Sequence, residues 1–479
     1  MKHTNPTLAL LLAPCLTLAG CTVGPDFKEP QAQTPESWAG LGTSASSAGV
    51  TSTPVPGPAD IAAWWTQFND PVLTSLIERA AAGNLTLAQS DTIVRQARAA
   101  RTVAGSGLYP SVDASVNASR SRSGGRTGNL FRAGFDATWE LDIFGGVRRG
   151  VEAADAQIDS ALFDRDAVMV TIAGEVATTY LDLRGAQRQL AITRQNLEAQ
   201  QASLDLTQQR FDAGFIGALD VVNAKANLTQ TSSQLPGYDA QIHASIYALS
   251  VLLGRTPGEL LAELSSDAPS DAAVPPSEVP IGLPSELLLR RPDIQRAQAD
   301  LRAATARIGV AIADQYPRFS LTGSLGTQGN RVASLGTLAD RYWSIGPAAS
   351  LPIFSGGRIE GNIEQARAAA DQALLAYRAS VLVALQDVET ALVNFTREQQ
   401  RRAALIESVE ANRQAVDLSL QLYTAGRSDF LNVLSAQRQL YSTQAALTQS
   451  QTVVGTNLVA LYKSLGGGWT PDVARASSP

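Results

Sequence analysis

Charged side chains fall on one parity of a short segment of this 479-residue chain. Arg132, Asp136, Glu140 and Asp142, with Gly134 and Thr138 between them, alternate with Phe131, Ala133, Phe135, Ala137, Trp139, Leu141 and Ile143. A spacing of two is the period of a β-strand, so the two sets occupy opposite faces. The chemistry such a strand supports is solvation: one face needs water and the other excludes it. Residues that make or break bonds are scarce, with two cysteines and two histidines in the whole chain. His243 lies in a helical stretch after Pro236 without a nucleophile motif, and a Cys/His metal site needs more ligands than this. No glycine-rich phosphate loop is present. These observations exclude the usual enzyme classes and a metal centre, and no soluble cofactor is implied.

The elements that must carry the alternating segment are long. Ile143-Phe144-Gly145-Gly146-Val147-Arg148 opens a run without proline until Pro236, which predicts a helix over 145–213 of about 100 Å. The pattern then recurs. Trp343, Ile345, Ala349, Leu351 and Ile353 hold the same rhythm, Ile353-Phe354-Ser355-Gly356-Gly357-Arg358 follows, and a second helix is predicted over 357–425. Leu183, Leu190, Leu197, Leu204 and Phe211 in the first helix, and Val409, Val416 and Tyr423 in the second, recur every seven residues as a coiled-coil seam would. Phe211-Asp212-Ala213-Gly214 matches Tyr423-Thr424-Ala425-Gly426, so both helices end in a glycine turn.

The chain is therefore an internal duplication. Residues 67–264 form the first copy: a helix from Asp70-Pro71 to about Gly107, a hairpin over 111–143, the long helix, the turn, and a return helix with a kink expected at Pro236-Gly237. Residues 265–284, with five prolines, are a linker, and 285–468 repeat the order with a hairpin over 318–354. In each copy the two shorter helices laid end to end match the long one. A tail follows over 469–479.

At the other end, Lys2 and the apolar run Leu8–Leu18 read as a signal peptide over 1–20, with Leu18-Ala19-Gly20-Cys21 as a lipobox-like cleavage site. Cys21 then becomes the acylated first residue, the covalent lipid being the one prosthetic group expected. Residues 21–66, rich in Gly, Pro, Ser and Thr, form a tether. A net charge of −6 without a basic patch argues against nucleic acid. Outside the N-terminus no run of about 18 uncharged apolar residues appears, so no membrane-spanning helix is expected.

Four strands cannot close a barrel. An open edge cannot sit in lipid, where its amides lack partners. Closure needs other copies. Eight strands from a dimer fill their lumen with side chains, whereas twelve from a trimer leave a pore for Arg132, Asp136, Glu140 and Asp142. The expected fold is mainly α: a trimeric 12-stranded membrane β-barrel, four strands per chain, continuous with a long helical barrel. A half-buried strand in a soluble sandwich is the competing reading of the alternation.

This organisation resembles the TolC-like outer-membrane factor family, in its lipoprotein (NodT/OprM-like) branch. The resemblance covers nearly the whole mature chain. It is carried by Leu18-Ala19-Gly20-Cys21 with Val23-Gly24-Pro25-Asp26-Phe27, by Trp64-Trp65 with Phe68-Asn69-Asp70-Pro71, by Arg290-Arg291-Pro292-Asp293-Ile294, by Tyr316-Pro317, and by the two tip motifs. It implies a homotrimeric exit duct in the bacterial outer membrane, lipid-anchored and projecting into the periplasm. Its partners would be a periplasmic adaptor, an inner-membrane transporter of the RND type and outer-membrane lipid. Residue by residue, Gly214 and Gly426 match the turns where adaptors dock. Asp220 matches an acidic position at the periplasmic constriction, and Tyr423 a gate aromatic. Arg427 and Asp429 are nearby candidates for gate contacts. Acidic positions of some members fall here on Asn432 and Ser435, which departs from a full acidic ring. Two alternatives remain: a periplasmic adaptor, which has one hairpin between β halves, and a structural coiled-coil envelope lipoprotein without a pore.

Overall fold

The computed structural model describes residues 22–40, 52–55, 61–265, 276–334, 337 and 340–469. The expected signal peptide and Cys21 lie outside them, as does the tail beyond Trp469. Ten helices and six strands follow one another in these residues: β1 (Thr53–Val55), α1 (Pro71–Gly83), α2 (Leu85–Ser106), β2 (Ser111–Ser123), β3 (Arg126–Leu141), α3 (Gly146–Asp212), α4 (Ala218–Ser232), α5 (Leu235–Leu252), α6 (Leu261–Leu264), β4 (Glu278–Pro280), α7 (Leu287–Arg290), α8 (Pro292–Ala313), β5 (Arg318–Gly329), β6 (Arg341–Ser350), α9 (Arg358–Thr424) and α10 (Phe430–Ser464).

Two compact units cut across the sequence copies, each taking segments from both: one holds residues 1–32, 92–163 and 294–380, the other 33–91, 164–293 and 381–479. The first unit contains a four-stranded antiparallel sheet in the order β2-β3-β5-β6, so the hairpin of each copy pairs with the other through β3 and β5. In the same unit Ala304, Ile308 and Ala370 pack with Ile312, Ala366 and Ala373, joining α8 to α9 through alanines and two isoleucines.

The second unit is built on buried aromatics and one polar chain. Asp70 caps α1, its Oδ1 accepting from the amides of Val72 (2.9 Å) and Leu73 (3.2 Å), with Pro71 at the first helical position. The other oxygen accepts from the fully buried Tyr180 hydroxyl at 2.7 Å. Arg184 donates to that hydroxyl (3.0 Å) and to Gln187 (2.9 Å), and Gln187 donates to the Leu264 carbonyl (2.7 Å). Arg291 is clamped between Asp293, Asp387 (3.0 Å) and the Ser464 carbonyl (3.1 Å), which explains the charge pattern of Arg291-Pro292-Asp293. Trp64 stacks on Tyr462 at 5.4 Å between centroids.

Three local expectations need correction. The helix predicted from Pro71 to Gly107 breaks at Asn84, whose Oδ1 caps α2 through the amides of Thr86 and Leu87 while Nδ2 bonds the Leu252 carbonyl. The chain approaches closely at the break: a Cβ on Gly254 would lie 2.2 Å from the Gly83 carbonyl oxygen. Parts of the expected tether and linker are paired, β1 lying parallel to β4 with Trp38 Nε1 donating to the Gly282 carbonyl (3.0 Å). The leucine seam of α3 holds only in its first half. Leu183 and Leu190 are buried, but Phe211 is exposed, and the buried line continues through Thr193, Asn196, Gln200, Ser203 and Thr207 at spacings of three and four. Across helices that polar seam is bridged by Gln200 Nε2 to Thr231 (2.9 Å) and Gln437 Nε2 to Ser203 (2.8 Å), while Gln200 Oε1 is buried without a protein partner. α9 also contains an 18-residue window of mean hydropathy 1.3, 22% of it buried in the chain, which meets the length and composition of a membrane span and by itself places no helix in a membrane.

Replacing Asp70 by alanine removes a cap and strands a buried phenol, an expected loss of about 2 kcal/mol visible as a lower thermal midpoint. Burial holds the Tyr180 phenol well above its ordinary range, against Arg184 and aided by Asp70, and pushes Tyr441 up to about 12. Unfolded tyrosines ionise near pH ~10 while these stay protonated in the fold, so stability is intact below pH ~10 and falls as pH rises through the folded values. A thermal midpoint unchanged between pH 9 and pH 12 (roughly two units above the onset expected for tyrosine) would contradict this.

Candidate functional site: a two-faced sheet and a glycine-turn tip

The register sorts the sheet into two chemically distinct faces. On one, rows across the strands read Ser111-Thr138-Thr322-Gly346, Asp113-Asp136-Ser324-Ser344 and Asn117-Arg132-Gln328. Arg132 donates to Gln328 at 3.0 Å and lies over the Tyr342 ring at 4.9 Å, while Ser115 donates to Asp136 at 2.7 Å. Asp113 and Asp136 stand directly opposite each other, a like-charge pair that only a wet surface tolerates. Glu140 faces the same side, opposite Ser320. Asp142 does not belong to this set. The strand ends at Leu141, and the Asp142 carboxylate turns back to accept from the amides of Val147 (3.0 Å) and Arg148 (2.9 Å), capping α3. Its parity in the sequence is that of the strand, but the first turn of α3 offers free amides that a carboxylate at this distance satisfies.

The other face reads Val112-Ala137-Gly323-Ile345 and Ala114-Phe135-Leu325-Trp343. It is bare: Val116 is 83% exposed, Trp343 76% and Ile345 67%. A soluble sandwich would cover such a face. β6 ends at Ser350, so Leu351 and Ile353 continue the alternation beyond the strand, also exposed. Where the sheet hands over to α3, Val23 donates to the Phe144 carbonyl (3.1 Å). The buried Arg149 holds the carbonyls of Val23 and Gly24 and the Asp26 carboxylate (2.7 Å). The Val23–Phe27 motif is thus a clasp at the sheet–helix junction, immediately after Cys21.

The two glycine turns share one geometry. Gly214 and Gly426 have φ of +77° and +70°. Phe215 N donates to the Arg210 carbonyl (2.9 Å) as Arg427 N does to that of Leu422 (2.8 Å), and each glycine amide bonds the residue three back. This is a Schellman closure, which needs the left-handed conformation at glycine. Nothing lies within 4 Å of a Cβ at either position, so backbone sign and not space selects glycine.

Tyr423 is buried and packs with Phe430, Ala224, Val433 and Leu434. Arg210 lies 4.6 Å over its ring and donates to the carbonyls of Tyr423 and Thr424 (3.2 Å), tying α3 to the end of α9. Burial pushes the Tyr423 phenol above its ordinary value; Arg210 opposes this and Asp220, in the first turn of α4, adds to it. Tyr423 and Arg210 are therefore in direct contact, and the Asp220 carboxylate acts on the phenol through its charge. Arg427 and Asp429 are exposed, with Asp429 at the N-cap of α10 making no side-chain cap bond. Arg210 escaped the sequence reading. Its signal was a basic residue in the last helical turn, where the helix dipole and free carbonyls favour a cation.

The sequence matches the family model described as "Outer membrane efflux protein" over residues 76–255 and 283–467. The chain belongs to this family of outer-membrane channels. Nodulation protein T of Rhizobium leguminosarum bv. trifolii is 33% identical over 487 residues, covering 99% of both chains. The pyoverdine export outer membrane protein OpmQ of Pseudomonas aeruginosa is 33% identical over 475 residues, 96% of this chain and 97% of that one. Among solved structures, the outer-membrane channel OprN matches with a TM-score of 0.86 and 35% identity, covering 94% of this chain and 100% of its own.

Removing the Arg210 side chain deletes a cation–π contact and two hydrogen bonds, about 2 kcal/mol together. Arg210→Ala is expected to speed amide exchange in the 420–432 segment at least ten-fold relative to the rest of α9. Unchanged exchange there would refute the clasp.

Proposed function

We propose that this chain is one third of a trimeric exit duct for a multi-component efflux pump. The observation that carries the reading is the open four-stranded sheet with a bare apolar face and a charged, like-charge-tolerant face. Its free edges, β2 and β6, present amides that lipid cannot satisfy, so the sheet closes only by pairing β6 of one copy with β2 of the next. Three copies make a barrel wide enough to leave Arg132, Asp136 and Glu140 in water. Exposed Leu375, Leu382 and Val383 on α9 supply apolar flanks for the same self-association.

Cys21 carries the lipid anchor, and the Arg149 clasp on residues 23–26 supports this by fixing the chain start beside the sheet–helix junction. Cargo passes through passively, handed on by an inner-membrane transporter of the RND type. A periplasmic adaptor docks at the glycine turns, Gly214 and Gly426. Asp220, Tyr423, Arg427 and Asp429 form the gate. Rings of charge from three copies bias ion passage there, and adaptor contact shifts the tip between two packings. Competing roles as an adaptor or a poreless coiled coil leave the charged sheet face without a purpose.

A heat-modifiable trimer band in outer-membrane fractions is expected, and a dimer would sink the reading because eight strands fill their lumen. In planar bilayers, Asp220→Ala is expected to weaken cation preference at least two-fold. An unchanged preference removes Asp220 from the gate. A disulfide engineered across the tips by combining Asp220→Cys with Arg427→Cys is expected to impair efflux in oxidised cells, with recovery on reduction.

A further inference from the structure

The apolar face of the sheet carries no carboxylate: Asp113, Asp136 and Glu140 all fall on the other side. It does carry three charges, all positive and all toward the loop ends of the hairpins. Alternation puts Arg120 and Arg122 on the face of Val116 and Ala118, opposite Asn129 and Thr127, beyond the last apolar row at Phe131. Arg341 follows Trp343 and Ile345 along the same face of β6, in the row of Thr327, Ala133 and Val116. All three are exposed, and among the described residues none is held by a carboxylate. Asp340, next to Arg341, accepts instead from the Thr337 hydroxyl at 2.7 Å.

An arginine on a lipid-facing strand costs about 2–4 kcal/mol at the midplane and nearly nothing at the interface, so this placement marks a membrane boundary. The long helices begin at the opposite ends of the strands, which puts the arginines at the outer leaflet. Guanidinium groups bind phosphate oxygens in bidentate fashion, and partial desolvation beside an apolar band strengthens the contact. We propose that Arg120, Arg122 and Arg341 form a collar that docks the phosphate groups of a phosphorylated outer-leaflet glycolipid against the barrel wall. This rests on the barrel reading above. β6 and β2 are the two sheet edges, so closing the barrel brings Arg341 of one copy toward Arg120 and Arg122 of the next, and the collar becomes a feature of each seam.

The test uses the full-length trimer in nanodiscs containing either bis-phosphorylated lipid A or its chemically dephosphorylated form in phosphatidylcholine, reading retained lipid by mass spectrometry after a detergent wash. Each basic residue at an anionic surface is worth roughly a five-fold preference, so the wild-type trimer is expected to retain the phosphorylated form at least ten-fold better. The combined Arg120→Gln, Arg122→Gln and Arg341→Gln variant is expected to retain both equally, whereas Arg132→Gln, on the other face, keeps the preference. Equal retention by the wild type overturns the collar, whether or not the triple variant folds. Preference lost equally in Arg132→Gln also overturns it. The oligomeric state of the wild type separates the two readings: a heat-modifiable trimer without lipid preference fails the collar alone, while failure to form the trimer fails the barrel.

Discussion

A backbone amide in hydrocarbon has no water to bond, and a strand at a sheet edge presents a row of such amides. This chain gives its larger sheet four strands, leaving β2 and β6 as edges, and the described residues leave its apolar face bare. Most of its other features follow from that incompleteness. The duplication, the exposed apolar flanks of α9 and the separation of charge from apolar side chains on the sheet make sense for a subunit whose core is completed by copies of itself. A monomer of this sequence has no satisfactory way to bury what it exposes.

The second unit packs long helices in two chemically different ways. Its hub is dry and aromatic around Trp64, Tyr180 and Tyr462, with Asp70 and Arg291 fully engaged. Toward the tip the buried line of α3 changes to Thr, Asn, Gln and Ser, held by side-chain hydrogen bonds to α4 and α10. Such bonds cost little to exchange for water or for one another, whereas interlocked leucines resist sliding. A polar seam is thus suited to the repacking proposed for the tip, where Tyr423, Phe430 and Arg210 make one defined contact.

Much of this was legible in the residues. Period-two alternation fixed the hairpins to within a few positions, absence of proline fixed the long helices, and glycine after a matched pair of tetrapeptides marked the tips, because each of these signals is local. Asp142 shows the limit: its parity with Glu140 reads as strand, but the distance to the free amides of α3, not its parity, decided its role. The break at Asn84 had a local signal in Gly83-Asn84 that the long proline-free pattern overrode, and the fold adds the bond from Asn84 to the Leu252 carbonyl, far along the chain. Arg210 went unread because a cation at a helix end is common, and only the fold brings the Tyr423 ring beneath it.

The sequence alone determined the repeat, the element types, the two-faced strands and the family, all of which depend on neighbours a few residues apart or on ordered motifs. The tertiary structure decided which strands pair, through β3 and β5, and hence that the acids share one face and the outward arginines the other. It also decided which half of the heptad pattern is buried and which tip residues meet. Those outcomes depend on contacts between residues hundreds of positions apart, where local periodicity carries no information and only packing selects among the possibilities.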